Sequence, residues 1–162
     1  MNILLDNNTF DFLLENIDKM ESIIKKHKLF YILSQEIELN KMKNNKTGEQ
    51  LIRHARMEII KGDYCSEEPG PFMLNTPCIN RKCIFPDTNL VDLISNTLKK
   101  YGCCKNGRQE NYIHDLNIAI TAYNNGYTVV KNDGAKSKKG LYGALKELNI
   151  KRVSHEEFRN LI

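Results

Sequence analysis

Short apolar runs alternate with amphipathic stretches along these 162 residues, and this alternation constrains the fold more than any other feature. The chain opens on the apolar run at 1–5, and residues 9–28 then place apolar side chains at three- and four-residue steps, which is typical of a helix. A second β-rich run follows at 29–33, and Ser34 is a candidate N-cap for a helix at about 35–43. Such alternation predicts a parallel sheet covered by helices.

The second half of the chain continues this alternation after an irregular stretch. Glycines and prolines interrupt residues 61–87, which show no periodicity, and we interpret this stretch as an insertion. The pattern elsewhere predicts helices at 51–60, from Asp87 or Thr88 to Tyr101, at 112–124 and at 137–148, and strands at 127–130 and 150–153. Gly102 and Gly126 are predicted to end the helices that precede them. Ser154 and Glu157 have the spacing of a capping box and predict a terminal helix. We therefore expect one α/β domain over residues 1–162, with a mainly parallel sheet of four to five strands.

The composition fits a globular protein with ordinary hydrophobic content. With 41% hydrophobic and 27% charged residues, the chain is not of the disordered type, and it lacks the ~20-residue apolar run that spans a bilayer. The N-terminus lacks the features of a secretory signal, so we expect a cytoplasmic protein that does not contact membranes. Five cysteines, an odd number, then predict free thiols. The net charge of +4 is compatible with a polyanionic partner without requiring one.

Four acidic residues lie at or just beyond apolar runs or on helix faces, namely Asp6, Glu38, Asp115 and Asp133. A parallel sheet gathers such positions at the carboxyl ends of its strands, where open α/β sheets place their sites. Carboxylates brought together there repel one another unless a divalent cation neutralises them, and their hard oxygens suit Mg²⁺ or Mn²⁺. The pattern indicates a metal-dependent enzyme that cleaves phosphodiester bonds. Glu36 competes with Glu38, because residues two apart on a helix point about 200° apart. The alternative is that these acids are helix caps or solvated strand ends.

The segments that carry these acids resemble the motifs of the PIN-domain nuclease family. LLDNN (4–8) is similar to the family's opening aspartate after the first strand, and SQEIEL (34–39) is similar to the helix start that supplies its glutamate. HDLNIAITA (114–122) resembles the family's Asp-x-x-Ile-Ala-x-x-Ala helix, and VVKND (129–133) resembles its strand-ending Thr-x-Asp. The resemblance covers about residues 1–42 and 108–162.

The resemblance implies a three-layer α/β/α fold and a ribonuclease that hydrolyses RNA with Mg²⁺ or Mn²⁺. It implies that Asp6 and Asp115 bind the metal directly, while Glu38 and Asp133 bind it through water or activate the water. It also implies a role as the toxin of a toxin–antitoxin pair, with RNA as substrate and a cognate antitoxin protein as partner. A homodimer stays open.

Two positions depart from the pattern of the family. Asn7 stands where a hydroxyl residue is common, and Lys131 replaces the usual Thr or Ser two residues before Asp133. These departures keep open a PIN-like module that binds RNA or protein without turnover. A different α/β domain, such as a phosphatase or a nucleotide-binding fold, is a separate alternative.

Further polar residues near the acids are candidates for binding substrate. Asn8 is placed to position a ligand or substrate by hydrogen bonding. Arg108 and the lysines of the GAKSKKG segment, Lys136, Lys138 and Lys139, can contact RNA phosphates, which provide affinity without sequence readout. The alternative for these cations is a solvated loop.

The histidine next to Asp115 and the cysteines offer weaker signals. His114 points about 100° away from Asp115 on a helix, so we expect a flanking surface residue. A zinc site is conceivable from Cys78, Cys83, Cys103 and Cys104, with Cys65 and His54 available. The spacing lacks the CxxC pairs of common structural zinc sites, so free cysteines are the favoured interpretation.

Overall fold

The computed structural model describes residues 1–35, 48–71, 83–103, 109–131 and 139–161. These residues form a five-stranded parallel sheet with the strand order β3-β2-β1-β4-β5. The strands are β1 (Asn2–Leu5), β2 (Lys28–Ile32), β3 (Cys65–Glu68), β4 (Thr128–Val130) and β5 (Arg152–Val153). The helices are α1 (Asn7–Glu15), α2 (Met20–Lys26), α3 (Gly48–Tyr64), α4 (Thr88–Lys100), α5 (Gln109–Asn125), α6 (Gly140–Glu147) and α7 (His155–Arg159), with a 3₁₀ turn at Ile17–Lys19.

The sheet lies between two helical layers, each with its own apolar core. Side chains alternate across β1, so that Leu4 packs on one face while Ile3 and Leu5 pack on the other. The Leu4 face is covered by α4, α5 and α6, and the opposite face by α1, α2, α3 and α7. This is the three-layer α/β/α arrangement, with β1 at the centre of the sheet.

Several element boundaries confirm the sequence predictions. The Asp87 carboxylate accepts a hydrogen bond from the Asn89 backbone N–H at 2.8 Å and so caps α4. Gly126 adopts a φ of 65° directly after α5, a conformation that glycine reaches without a steric cost. Ser154 and Glu157 form both hydrogen bonds of the capping box that opens α7.

Two helix predictions in the first 35 residues are wrong in detail. The helix expected at 9–28 is interrupted, because the Asn16 side chain donates to the carbonyl of Phe12 at 2.7 Å and α1 ends there. Ser34 is not an N-cap, since residues 33–35 are already helical. The Gln35 side chain makes the hydrogen bonds at the start of this helical stretch instead. Its side-chain oxygen accepts from the Ile32 N–H at 2.7 Å, and its amide donates to the Leu5 carbonyl.

The segment at 61–87 contains regular structure at its start. Residues 61–64 complete α3, and β3 follows at 65–68 as an edge strand parallel to β2. The irregular stretch therefore begins after Glu68, and its interpretation as an insertion stays a prediction. Residues 72–82 lie outside the described part.

The cysteines are not all free thiols. Cys83 is disulfide-bonded, which corrects the prediction at that position and removes its thiolate from the zinc alternative. Cys65 and Cys103 form no disulfide, and burial raises the pKa of the Cys65 thiol to about 12. Cys78 and Cys104 lie outside the described residues. Within the described ranges, no helix has the length and apolar character needed to cross a bilayer.

Candidate active site at the carboxyl ends of β1 and β4

The candidate site lies where the strand order reverses. The chain passes from β1 outward to β2 and β3, and it later returns to β4 on the other side of β1. Leu5 of β1 pairs with Val130 of β4, so the residues that follow them, Asp6 and Lys131, leave the sheet side by side. Open parallel sheets bind ligands in the crevice at this position.

Asp6 is a buried carboxylate that contacts two nitrogen-bearing side chains. Its Oδ2 accepts a hydrogen bond from the Lys131 ammonium at 3.0 Å, and its Oδ1 lies 3.4 Å from Nε2 of His114. Asp6 occupies the N-cap position of α1, yet its side chain makes no capping hydrogen bond. Its carboxylate thus faces the site and does not cap the helix.

Asp115 brings the second carboxylate from α5. Its Oδ1 lies 3.7 Å from Nζ of Lys131, so the same ammonium contacts both aspartates. The sequence alone places Asp6 and Asp115 more than one hundred residues apart. The fold brings them together around one cation.

The surroundings of the two carboxylates shift their pKa values in opposite directions. Burial opposes the ionisation of Asp6, but the Lys131 ammonium and the contact with His114 outweigh it and hold the pKa of Asp6 below its usual range. Burial raises the pKa of Asp115; nearby Asp6 raises it further, while Lys131 and a hydrogen bond with Cys103 oppose the rise. Asp6 is therefore the firmly ionised member, and Asp115 gains more from any added positive charge.

A cavity of about 460 Å³ opens at these groups. It is lined by Asp6, Asn7, Asn8, Cys103, Asn111, His114, Asp115, Lys131, Lys139, Gly140 and Leu141. The lining combines acids, amides and cations from the ends of β1 and β4 and from α5 and α6. Such a polar, open cavity suits a charged substrate better than an apolar one.

The structure brings together four of the predicted site residues. Asp6, Asp115, Asn8 and Lys139 all line the cavity. The other predicted members, Glu38 with its competitor Glu36, Asp133, Arg108, Lys136 and Lys138, lie outside the residues that the structure describes. Their roles stay predictions.

Two further residues of the cavity were not predicted as functional. His114 is buried and faces Asp6, which corrects the expectation of a flanking surface residue. It lies on the side of α5 that faces the end of β1, and Asp115 lines the same cavity from the next position. Lys131 is also buried, and the sequence showed it only as a departure from a motif. The signal that could have found it is its position directly after β4, beside Asp6 in a parallel pair.

The donor chemistry of the described residues suits a hard divalent cation, with one complication. Asp6 and Asp115 offer carboxylate oxygens, which are the ligands that Mg²⁺ and Mn²⁺ prefer. Within the described ranges, no group of three or more His, Cys, Asp or Glu side chains is arranged to hold a metal ion. The complication is the Lys131 ammonium, which already contacts both carboxylates.

Comparisons with solved structures identify the fold. VapBC2 from Rickettsia felis, bound to a DNA fragment from their promoter, matches with a TM-score of 0.56 and 16% identity over 95% of this chain and 98% of that one. VapBC-1 from nontypeable Haemophilus influenzae matches with a TM-score of 0.51 and 16% identity over 96% and 99% of the two chains. FitAcB from Neisseria gonorrhoeae matches with a TM-score of 0.51 and 16% identity over 95% and 98%. Neither the protein-family models nor the curated protein sequences contain a match. By its sheet order, its two helical layers and these structural neighbours, the chain has a PIN-like fold.

Proposed function

We propose that this chain is a metal-dependent endoribonuclease that hydrolyses RNA phosphodiester bonds in the cavity at the carboxyl ends of β1 and β4. One observation carries the proposal: two carboxylates from distant parts of the chain, the buried Asp6 and the partly buried Asp115, converge on a single positive charge at the switch point of the sheet. Placing two acids in this way is costly unless a cation is bound there, and such arrangements are typical of functional sites.

The roles of the residues follow from their chemistry and from the resemblance. Asp6 and Asp115 would hold Mg²⁺ or Mn²⁺ directly, and Glu38 and Asp133 would complete the set of carboxylates. The ion would supply an activated water and stabilise the leaving oxygen. Asn8 and Lys139 line the cavity and would orient the substrate and contact its phosphates, with Arg108, Lys136 and Lys138 extending the basic surface.

The biological role that we propose is that of a toxin held in check by a cognate antitoxin. The neighbours in fold, VapBC2, VapBC-1 and FitAcB, are toxin–antitoxin complexes. As part of the same proposal, the protein acts on RNA in the cytoplasm.

The proposal is tested by removing one negative charge at a time. Asp6→Asn and Asp115→Asn preserve side-chain size but remove the anionic ligand, so we expect at least a hundredfold loss of RNA cleavage in Mg²⁺ or Mn²⁺. Expression of the wild-type chain in a bacterial host should arrest growth, and expression of Asp6→Asn should not. Cleavage is measured on a fluorescent RNA, with circular dichroism to verify the fold.

Asp92→Asn is the matched control, because Asp92 is an exposed aspartate on α4 away from the cavity. This variant should cleave RNA as the wild type does. Full activity in Asp6→Asn or Asp115→Asn, or in excess chelator, would contradict the metal mechanism.

The second candidate function is a PIN-like module that binds RNA without cleaving it. The Lys131 ammonium favours this candidate, because it offsets part of the negative charge of the paired carboxylates without a metal. RNA binding that is unchanged by divalent ions, together with an absence of cleavage, would select the binding module over the enzyme.

A further inference from the structure

The Lys131 ammonium contacts both of the carboxylates that would hold a shared metal. Its ammonium lies 3.0 Å from Oδ2 of Asp6 and 3.7 Å from Oδ1 of Asp115. Divalent ions bind carboxylate oxygens at about 2.0–2.6 Å, so an ion bridging the same two oxygens would lie within a few ångströms of Nζ. A monovalent and a divalent cation at that separation repel each other.

The sheet determines the position of Lys131, which is a buried residue and not a surface side chain. The residue follows Val130, whose strand pairs with β1 in parallel register, and it is buried together with Asp6. Its aliphatic stem therefore packs at the end of β4 while its charge is directed at the acids. The ammonium is nevertheless carried on a flexible four-carbon chain, and the cavity of about 460 Å³ offers it room to move.

We propose that Lys131 is a resident counter-ion of the Asp6–Asp115 pair, which a divalent ion must displace in order to bind between the two carboxylates. The proposal rests on the proposed function and adds regulation to it. In the metal-free protein the Lys131 ammonium offsets one of the two negative charges, and the site becomes loaded only where the concentration of divalent ion is high enough to overcome the displacement. Lys131 thereby sets the metal threshold of the site.

The test is the affinity of the protein for Mn²⁺, measured by titration calorimetry and by electron paramagnetic resonance of free Mn²⁺. Lys131→Met keeps the length of the side chain and removes its charge, and Lys131→Gln keeps a polar end without the charge. We expect both variants to bind Mn²⁺ at least about tenfold more tightly than the wild type, because no ammonium has to leave. Equal or weaker binding would overturn the proposal.

Thermal unfolding gives a second readout, in which the effect of Lys131→Met depends on whether Mn²⁺ is present. In chelator, Lys131→Met should unfold at a lower temperature than the wild type, because the Asp6 and Asp115 carboxylates have lost their cation. In saturating Mn²⁺ that difference should shrink or reverse, because tighter ligand binding stabilises the native state. If both Lys131 variants are unfolded in chelator and Mn²⁺ does not restore them, the proposal fails as well.

Lys61 provides the matched control. It is a second buried lysine, and its ammonium pairs with Glu58 of α3 at 2.6 Å, away from the cavity. Lys61→Met should lower stability by the same amount with and without Mn²⁺ and leave Mn²⁺ affinity unchanged. A gain in affinity there would show that losing any buried lysine has this effect, which would overturn the specific role of Lys131.

The experiment separates failure of this inference from failure of the proposed function. If the wild type cleaves RNA with Mn²⁺ and Lys131→Met binds the ion no more tightly, only the inference fails. If neither protein binds Mn²⁺, both the inference and the metal mechanism fail.

Discussion

Asp6 shows how one residue can be committed to a site at the expense of the helix that follows it. An aspartate at an N-cap normally accepts a hydrogen bond from the first turn, which stabilises the helix by about 1 kcal/mol. The Asp6 side chain makes no such bond, and its oxygens contact Lys131 and His114 instead. Local helix stability is thus given up for an arrangement that requires β4 and α5.

Thr9 is predicted to be a structural support for this arrangement. Its buried hydroxyl donates to the Val130 carbonyl at 2.9 Å and ties α1 to the end of β4. Thr9→Val keeps the shape and removes the donor, so we expect a loss of unfolding free energy of about 1–3 kcal/mol, because a buried carbonyl loses its partner. Urea denaturation measures the loss.

Thr97→Val is the control, since the Thr97 hydroxyl donates only to Leu93 within its own helix. It should lower stability by less than Thr9→Val does. If the two losses of unfolding free energy are equal, the hydrogen bond between α1 and β4 stabilises the fold no more than one within a helix does.

At the scale of residues, the sequence identifies acids better than it identifies their partners. Asp6 and Asp115 were predicted because their order and their strand or helix context resemble a known set. Lys131 and His114 were not, because their contribution depends on the register of β1 with β4 and on the rotation of α5. Those are properties of packing, and no local pattern encodes them.

Among the elements, α7 has the most completely defined start. Glu157 accepts from the Ser154 backbone N–H at 2.6 Å and donates its own N–H to the Ser154 hydroxyl at 3.1 Å. Phe158 of the same short helix is fully buried in the core beneath α1. The capping box therefore determines where α7 begins, and the main contribution of this short helix to the core is the Phe158 side chain.

The pH dependence of stability should report this capping box. Hydrogen bonds with the backbone and the side chain of Ser154 hold the pKa of Glu157 below its ordinary value of 4.5. Because the folded pKa is lowered, the stabilisation is present above the unfolded pKa and is lost as the pH falls through the folded one. Glu157→Gln keeps the capping geometry without the charge, so its deficit against the wild type should be constant near neutral pH and shrink below about 4.5.

Chemical denaturation across this pH range measures the deficit. Glu156→Gln removes a charge from the same helical turn but leaves the capping pair intact, and it serves as the control. A deficit for Glu157→Gln that grows in acid would contradict the argument.

The elements that the sequence missed are those with no apolar pattern of their own. β3 consists of Cys-Ser-Glu-Glu and is held as an edge strand by pairing with β2, so its sequence carries no strand signal. The break between α1 and α2 depends on one asparagine side chain that competes for a backbone carbonyl. By contrast β1 and β4 are short apolar runs and α5 ends directly before Gly126, and the sequence predicts all three with differences of a few residues at their ends.

For the whole molecule, β1 is the element on which both cores depend. Leu4 is fully buried on the face covered by α4, α5 and α6. Leu4→Ala should lower the unfolding free energy by about 2–5 kcal/mol through lost burial and the cavity left behind. Guanidinium denaturation measures the change.

Leu93→Ala is the control, because Leu93 is a leucine on α4 with 53% of its surface exposed. We expect a change within about 0.5 kcal/mol. A similar loss in both variants would mean that the core around β1 does not dominate stability.

The hydrogen bond between Lys131 and Asp6 spans 125 positions of the sequence. A ribosome releases Asp6 early, but the partner that completes its environment emerges only after most of the chain has been synthesised. Contacts of such long sequence separation form late in folding. A polypeptide that ends before β4 therefore cannot assemble this cavity, and the proposed cleavage activity would appear only once β4 is in place.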